Sequence, residues 1–232
     1  MRTLDDNNAK GARANRKERR NKNYGGGWNT LDAFYLWVIR RLLSLFYRVE
    51  HKAFHHIPER GPCLIVANHV SYLDGVFIQA ACRRPIRFVI DYHIYHSPFV
   101  RHFMKLHRAI PILPKRNNVR QALDEISRAL RRGEAVMIFP EGRITYTGAL
   151  GRFKPGMEWI VDRDPVPVYP VAIRGLWDSM FSRKYLRSRR RMLPRFFRLK
   201  VELECGARIE AARADAPSLQ STMIKLLKAG RD

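Results

Sequence analysis

From residue 61 onward the chain alternates short apolar, β-branched runs with stretches of helical periodicity, and this alternation is the strongest constraint on its fold. "CLIVAN" (63–68), "IRFVID" (86–91), "AIPIL" (109–113), "AVMIFP" (135–140) and "VPVYPVAI" (166–173) have the length and composition of buried strands, and "LKVELECG" (199–206) adds a late one. Between them, residues 74–82, 97–107 and 117–132 are expected to be helical. The last of these places Val119, Ala122, Leu123, Ile126, Ala129 and Leu130 on one face and stops at Gly133, as an amphipathic helix with a glycine cap does. "SLQSTMIKLLKAG" (218–230) reads as a closing helix. Strands that are apolar on both faces must be covered on both faces. The predicted fold is therefore α/β, a single-domain sandwich around a mixed or largely parallel sheet. A chain of 232 residues suffices for one well-packed domain.

The chain upstream has a different character. Residues 1–27 are polar, basic and glycine-ended without periodicity, and are expected to form a disordered basic arm. Residues 28–49, "WNTLDAFYLWVIRRLLSLFYRV", predict an amphipathic helix, with the folded domain following over 50–232. Arg40 and Arg41 argue against a bilayer span, because a charge at the bilayer centre costs about 2.5–3.5 kcal/mol on insertion scales. They suit a membrane-associating helix lying in the interface, with Trp28, Phe34, Trp37 and Tyr47 at headgroup level and the arginines snorkelling. The plainer reading is a helix packed on the domain.

Charge narrows the partners. Lys and Arg number 44 against 21 Asp and Glu, a net +23 that calls for solvation or an anionic partner. Anionic lipid and nucleic acid both qualify on charge alone. Residues 183–200 hold nine basic residues and no acid, but Tyr185, Leu186, Met192, Leu193, Phe196 and Phe197 interleave with them, which favours docking on a membrane surface. No signal peptide is recognisable at the N-terminus. Cys63, Cys82 and Cys205 are too few and too scattered for a zinc site or a disulfide framework, and read as buried thiols in a reducing compartment.

Two short stretches carry residues able to do chemistry. In "NHVSYLD" (68–74), His69 follows a predicted strand and Asp74 opens a predicted helix. An imidazole held by a carboxylate through one nitrogen is in the tautomer that accepts a proton on the other. The pair could equally be two polar residues of one turn, with Asp74 a helix cap. No serine elbow accompanies it, and Ser71 suits a turn role, so a base here would act directly on a substrate hydroxyl. In "FPEGRIT" (139–145) a tight turn presents Glu141 and Arg143, and "GRFKPG" (151–156) adds Arg152 and Lys154. An ordinary turn with a surface ion pair would look the same, but two successive anion-competent loops favour a phosphate-bearing substrate.

Taken in order, these stretches resemble the glycerolipid acyltransferases, the 1-acylglycerol-3-phosphate acyltransferase family. "NHVSYLD" resembles the family's NHxSxxD block, "FPEGRIT" its FPEGTRS block and "VPVYPVAI" its VPIVPVA block, with "FKPG" at the matching interval. The resemblance implies transfer of a fatty acyl group from acyl-CoA or acyl-carrier protein to the free hydroxyl of a lysophospholipid. His69 would be the general base, Asp74 its orienter, and Glu141, Gly142 and Arg143 the site for the acceptor's polar head, with Lys154 and Lys115 beside it. No metal or prosthetic group is implied. The expected partners are a lysolipid acceptor, an acyl thioester donor and an anionic membrane surface, with the protein peripheral or monotopic on a cytoplasmic face. Two departures fall in the acceptor region. Where the second block ends in arginine (GxxFIxR), this chain has Pro114, followed by Lys115 and Arg116, and the third block has Arg143 and Ile144 where Thr and Arg are usual. They leave open a lyso-aminolipid or other non-phosphate acceptor. The reading from another class is a basic nucleic-acid-binding protein, but no such module is recognisable and nucleic acid is not the expected partner.

Overall fold

The computed structural model describes residues 30–95, 101–113, 116–184 and 198–230. The basic arm, Trp28, Lys115 and most of the 183–200 basic run lie outside them. Seven strands build one sheet: β1 (Tyr47–Lys52), β2 (Cys63–Ala67), β3 (Ile86–Asp91), β4 (Ile110–Ile112), β5 (Ala135–Ile138), β6 (Val168–Arg174) and β7 (Leu199–Cys205). Their order is β1-β7-β6-β2-β5-β3-β4, and every neighbouring pair is parallel except β6 with β7. The helices are α1 (Thr30–Phe46), α2 (Asp74–Ala81), α3 (Tyr92–Tyr95), α4 (Arg101–Leu106), α5 (Arg116–Arg131), α6 (Gly156–Arg163) and α7 (Ala216–Ala229). This is the expected single α/β domain with a mixed, mostly parallel sheet.

The strand period of two explains how one sheet carries two cores. Along β2, Cys63, Ile65 and Ala67 face a cluster that includes Phe77 and Ile78 of α2 and Phe103 and Met104 of α4. Leu64 and Val66 face the opposite cluster, built with Ile126 and Leu130 of α5, Ile160 of α6 and Leu219 and Met223 of α7. A strand covered on both faces has no place for a polar residue, hence the continuous apolar run. Gly133 closes α5 at φ +77, the left-handed conformation its helix end requires. The three cysteines are free and buried, and burial pushes the Cys63 thiol up to about 11 and that of Cys205 up to about 12.

The N-terminal segment differs from expectation in three ways. The helix stops at Phe46, because Tyr47–Lys52 pairs in parallel with Leu199–Cys205 as the edge strand of the sheet. Tyr47 is accordingly buried rather than at a headgroup level, its ring edge-on to Phe77 at 5.0 Å and its hydroxyl 3.0 Å from Ser179 Oγ. Arg40 does not snorkel: its guanidinium donates to the carbonyls of Ala80 (2.8 Å) and Cys82 (3.2 Å), satisfying orphan acceptors at the end of α2. Tyr35, Ile39 and Leu43 pack α1 on the core, while Phe34, Trp37, Leu42, Leu45 and Phe46 remain exposed. The helix thus has one face docked on the domain, as the plainer reading expects, and one face open. No helix among the described residues is long and apolar enough to cross a membrane.

Candidate active site

The site grows from the loop between β2 and α2. Asn68 directly follows the strand and extends its pairing with β6, accepting from the Ile173 N–H (2.7 Å) and donating to the Ile173 carbonyl (3.0 Å). This fixes where the next residue leaves the sheet. Three residues later Ser71 bridges Ser182 in antiparallel fashion, and the Tyr72 N–H donates to the Phe181 carbonyl at 3.2 Å. The chain turns into α2, whose first residue is Asp74.

Asp74 is fully buried, and its Oδ2 gathers three contacts: His69 Nδ1 at 2.7 Å and the backbone N–H groups of Val70 (2.7 Å) and Ser71 (2.9 Å). A carboxylate can only accept, so Nδ1 carries the proton and donates, leaving the lone pair on Nε2. Burial pushes the Asp74 carboxyl up, while the His69 ring and the two amides pull it the other way. The imidazole lies flat on Phe139, ring centroids 3.9 Å apart and planes 10° from parallel. Pinned by a carboxylate at one edge and a ring below, it keeps 18% of its side chain exposed. No described residue hydrogen-bonds Nε2. This is the geometry of an oriented base.

The second loop holds the first in place. Glu141 accepts the His69 N–H on Oε1 (2.8 Å) and the Gly151 N–H on Oε2 (2.7 Å), and the Thr145 N–H donates to the His69 carbonyl (2.8 Å). The His69 peptide groups are thus clamped on both sides by the 139–151 segment. Burial pushes the Glu141 carboxyl up, opposed by those amides. Both oxygens of Glu141, which the resemblance assigns to the site for the acceptor's polar head, thus each accept a backbone amide. A Cβ on Gly151 would come within 2.6 Å of Glu141 Oε2, so glycine alone permits this approach.

Gly142 adopts φ +66, and a Cβ there would lie 2.7 Å from Lys154 Nζ, which places the lysine against the turn. Arg143, Arg152 and Lys154 line a cavity of about 440 Å³ together with Glu141 and Tyr146. The residues read from the sequence therefore fall into two groups: His69 with Asp74 as a bonded pair, and Glu141, Arg143 and Lys154 on the adjoining cavity, with Gly142 in the same turn. Ser71 has the turn role expected of it, its Oγ accepting the Leu73 N–H at 3.2 Å. Sequence reasoning missed Phe139 as the platform under His69, although its position just past an apolar run was the available signal. It also missed Tyr146, which lies under the Arg143 guanidinium at 5.5 Å.

The fold is an α/β domain around a mostly parallel seven-stranded sheet, with the His69–Asp74 pair where the central strand β2 meets α2. The "Acyltransferase" family model matches residues 48–174, more than half of the chain, and the chain belongs to that family. Among curated relatives, 1-acyl-sn-glycerol-3-phosphate acyltransferase BAT2, chloroplastic, of Brassica napus is 29% identical over 56% of this chain and 38% of its own length. The 1-acyl-sn-glycerol-3-phosphate acyltransferase of Pseudomonas aeruginosa is 28% identical over 60% of this chain and 53% of its own. A probable 1-acyl-sn-glycerol-3-phosphate acyltransferase of Mycoplasma pneumoniae is 29% identical over 70% and 65% respectively. The chain thus spans less than two thirds of the length of these relatives. The crystal structure of the 1-acyl-sn-glycerophosphate acyltransferase PlsC from Thermotoga maritima shares the fold, with a TM-score of 0.61 and 21% identity, over 84% of this chain and 77% of that one.

Proposed function

We propose that this chain is an O-acyltransferase that moves a fatty acyl group from an acyl thioester to the free hydroxyl of a lysophospholipid, with 1-acylglycerol-3-phosphate as the reference acceptor. The observation that carries the reading is the His69–Asp74 pair, Nδ1 bonded at 2.7 Å and Nε2 open, next to a cavity walled by Arg143, Arg152 and Lys154. The printed names of the relatives support it.

His69 Nε2 takes the proton of the acceptor hydroxyl as that oxygen attacks the thioester carbonyl. The new C–O bond forms, the C–S bond breaks, and the departing thiolate receives the proton back from the imidazolium. Asp74 holds the ring in the tautomer this requires and stabilises the transient positive charge. Glu141 acts on the backbone, keeping the histidine loop in register with the cavity. Acyl-CoA and acyl-carrier protein are both admissible donors. The exposed Phe34, Trp37, Leu42, Leu45 and Phe46 of α1, with a net charge of +23, support work at an anionic membrane surface as a peripheral or monotopic protein.

The test is acyl transfer from labelled acyl-CoA, and then from acyl-carrier protein, to a panel of lysolipids differing in head group. The wild-type protein transfers to at least one of them, and His69→Ala loses about 10²–10⁴-fold in turnover with an unchanged circular dichroism spectrum. Wild-type turnover in His69→Ala refutes the mechanism. Absence of transfer from either donor by the wild-type protein refutes the function.

A further inference from the structure

Two arginines from distant parts of the chain meet over one aromatic ring beside the cavity. The Arg143 guanidinium carbon lies 5.5 Å, and that of Arg183 4.2 Å, from the centroid of Tyr146. Two like charges brought to one ring repel each other, and the π face offsets only part of that cost. Neither has a carboxylate partner within ion-pair distance among the described residues, and the same holds for Arg152 and Lys154 on the cavity wall. The contrast with the adjacent cation is clear: Lys184 pairs with Asp178 at 2.5 Å. The carboxylate that lines the cavity, Glu141, is occupied by the amides of His69 and Gly151. The arrangement is short of one anion.

Its position relative to the base is fixed through the backbone. Tyr146 follows Thr145, whose N–H donates to the His69 carbonyl. Arg183 follows Ser182, which bridges Ser71 two residues past His69. Trp177, upstream of Arg183, lies so close to Gly148 that a Cβ there would be 2.7 Å from its Nε1, which holds the Tyr146 loop against the 176–184 segment. Arg183 therefore sits one residue, and Arg143 two residues, from backbone that pairs with the His69–Asp74 loop. In 1-acylglycerol 3-phosphate the reacting hydroxyl and the phosphate ester occupy neighbouring carbons, so its base and its anion subsite belong on adjoining loops.

We infer that Arg183 joins Arg143 at the Tyr146 ring to form the subsite for the phosphate of the acceptor's head group, making Arg183 a specificity-determining residue and a phosphate-bearing lysolipid the preferred acceptor. The inference rests on the acyltransferase reading above and names its substrate class. Guanidinium is the suitable group, because its planar fork of donors matches phosphate oxygens two at a time.

The experiment compares wild type, Arg183→Gln and Arg183→Lys, each checked for an unchanged melting temperature, with 1-acylglycerol-3-phosphate and uncharged 1-acylglycerol as acceptors and acyl-CoA as donor. Arg183→Gln should raise KM for the phosphate-bearing acceptor roughly tenfold to a hundredfold and leave kcat, the acyl-CoA KM and the uncharged acceptor almost unaffected; Arg183→Lys should recover part of the loss. An unchanged acceptor KM overturns the inference. So does a rise confined to the acyl-CoA KM, which would assign the anion to the donor's phosphates. Calorimetric titration with glycerol 3-phosphate separates this inference from the reaction itself. Binding by wild type that weakens at least about tenfold in Arg183→Gln supports the subsite even if no transfer is seen. Equal binding by both proteins, or none by either, overturns it.

Discussion

His107 follows α4 with its ring 4.2 Å from Phe103 and 5.5 Å from Phe88, almost fully buried. Burial lowers its pKa from the ordinary 6.5 to about 4. The folded protein thus resists a proton that the unfolded chain accepts readily near pH 6.5. The stability held by the neutral ring is complete above pH 6.5 and is lost as pH falls toward 4. At about 1.4 kcal/mol per pH unit, the shift from 6.5 to about 4 amounts to about 3 kcal/mol, most of it lost by pH 4.5. The assay is urea unfolding at pH 7.5 and 4.5 for wild type and His107→Phe, which keeps an aromatic ring among Phe88 and Phe103 but cannot titrate. Other groups titrate identically in both proteins, so the difference between their pH dependences isolates His107. Wild type should lose about 2–3 kcal/mol more than the variant between the two conditions. Parallel losses would refute the assignment of a depressed pKa to this ring.

Two further outcomes follow from the same contacts. Glu141→Gln replaces one acceptor by a donor facing the N–H of His69 or Gly151, and should cost about 1–3 kcal/mol in urea unfolding together with a fall in kcat as the His69 loop loosens. Gly175→Ala places a Cβ 2.1 Å from the Lys200 carbonyl oxygen at a position with φ +87, so the antiparallel β6–β7 pairing should be destabilised by about 2–4 kcal/mol, visible as a lower melting temperature.

What the sequence disclosed and what it hid divide along a physical line. The alternation of Cys63, Ile65 and Ala67 with Leu64 and Val66 is local, and local periodicity identified the central strands and the class of fold. The His69–Asp74 pair was also legible, since both members lie in one seven-residue turn and need no distant partner to meet. Contacts to backbone groups were not. Arg40 was read by its charge, yet its partners are the Ala80 and Cys82 carbonyls, which no side-chain pattern announces. Glu141 was read by its carboxylate, and two amides took it. Helix α6 was overlooked because its buried Met157, Ile160 and Val161 fill barely two turns, too short for a period to declare itself. The meeting of Arg143, Tyr146 and Arg183 is tertiary throughout.

Strand β1 has one neighbour in the sheet, β7, with Tyr47 opposite Leu199. During synthesis its partner emerges about 150 residues later, which at 5–20 residues per second is a delay of roughly 8–30 s. Throughout that interval the ribosome-bound chain carries an open edge capable of pairing with another copy of itself. Its sequence, Tyr-Arg-Val-Glu-His-Lys, answers this hazard with charged side chains that discourage strand-to-strand association before β7 arrives. The last strand to be made completes the first, and a ribosome stalled before residue 199 would release a chain whose edge has nothing to close it.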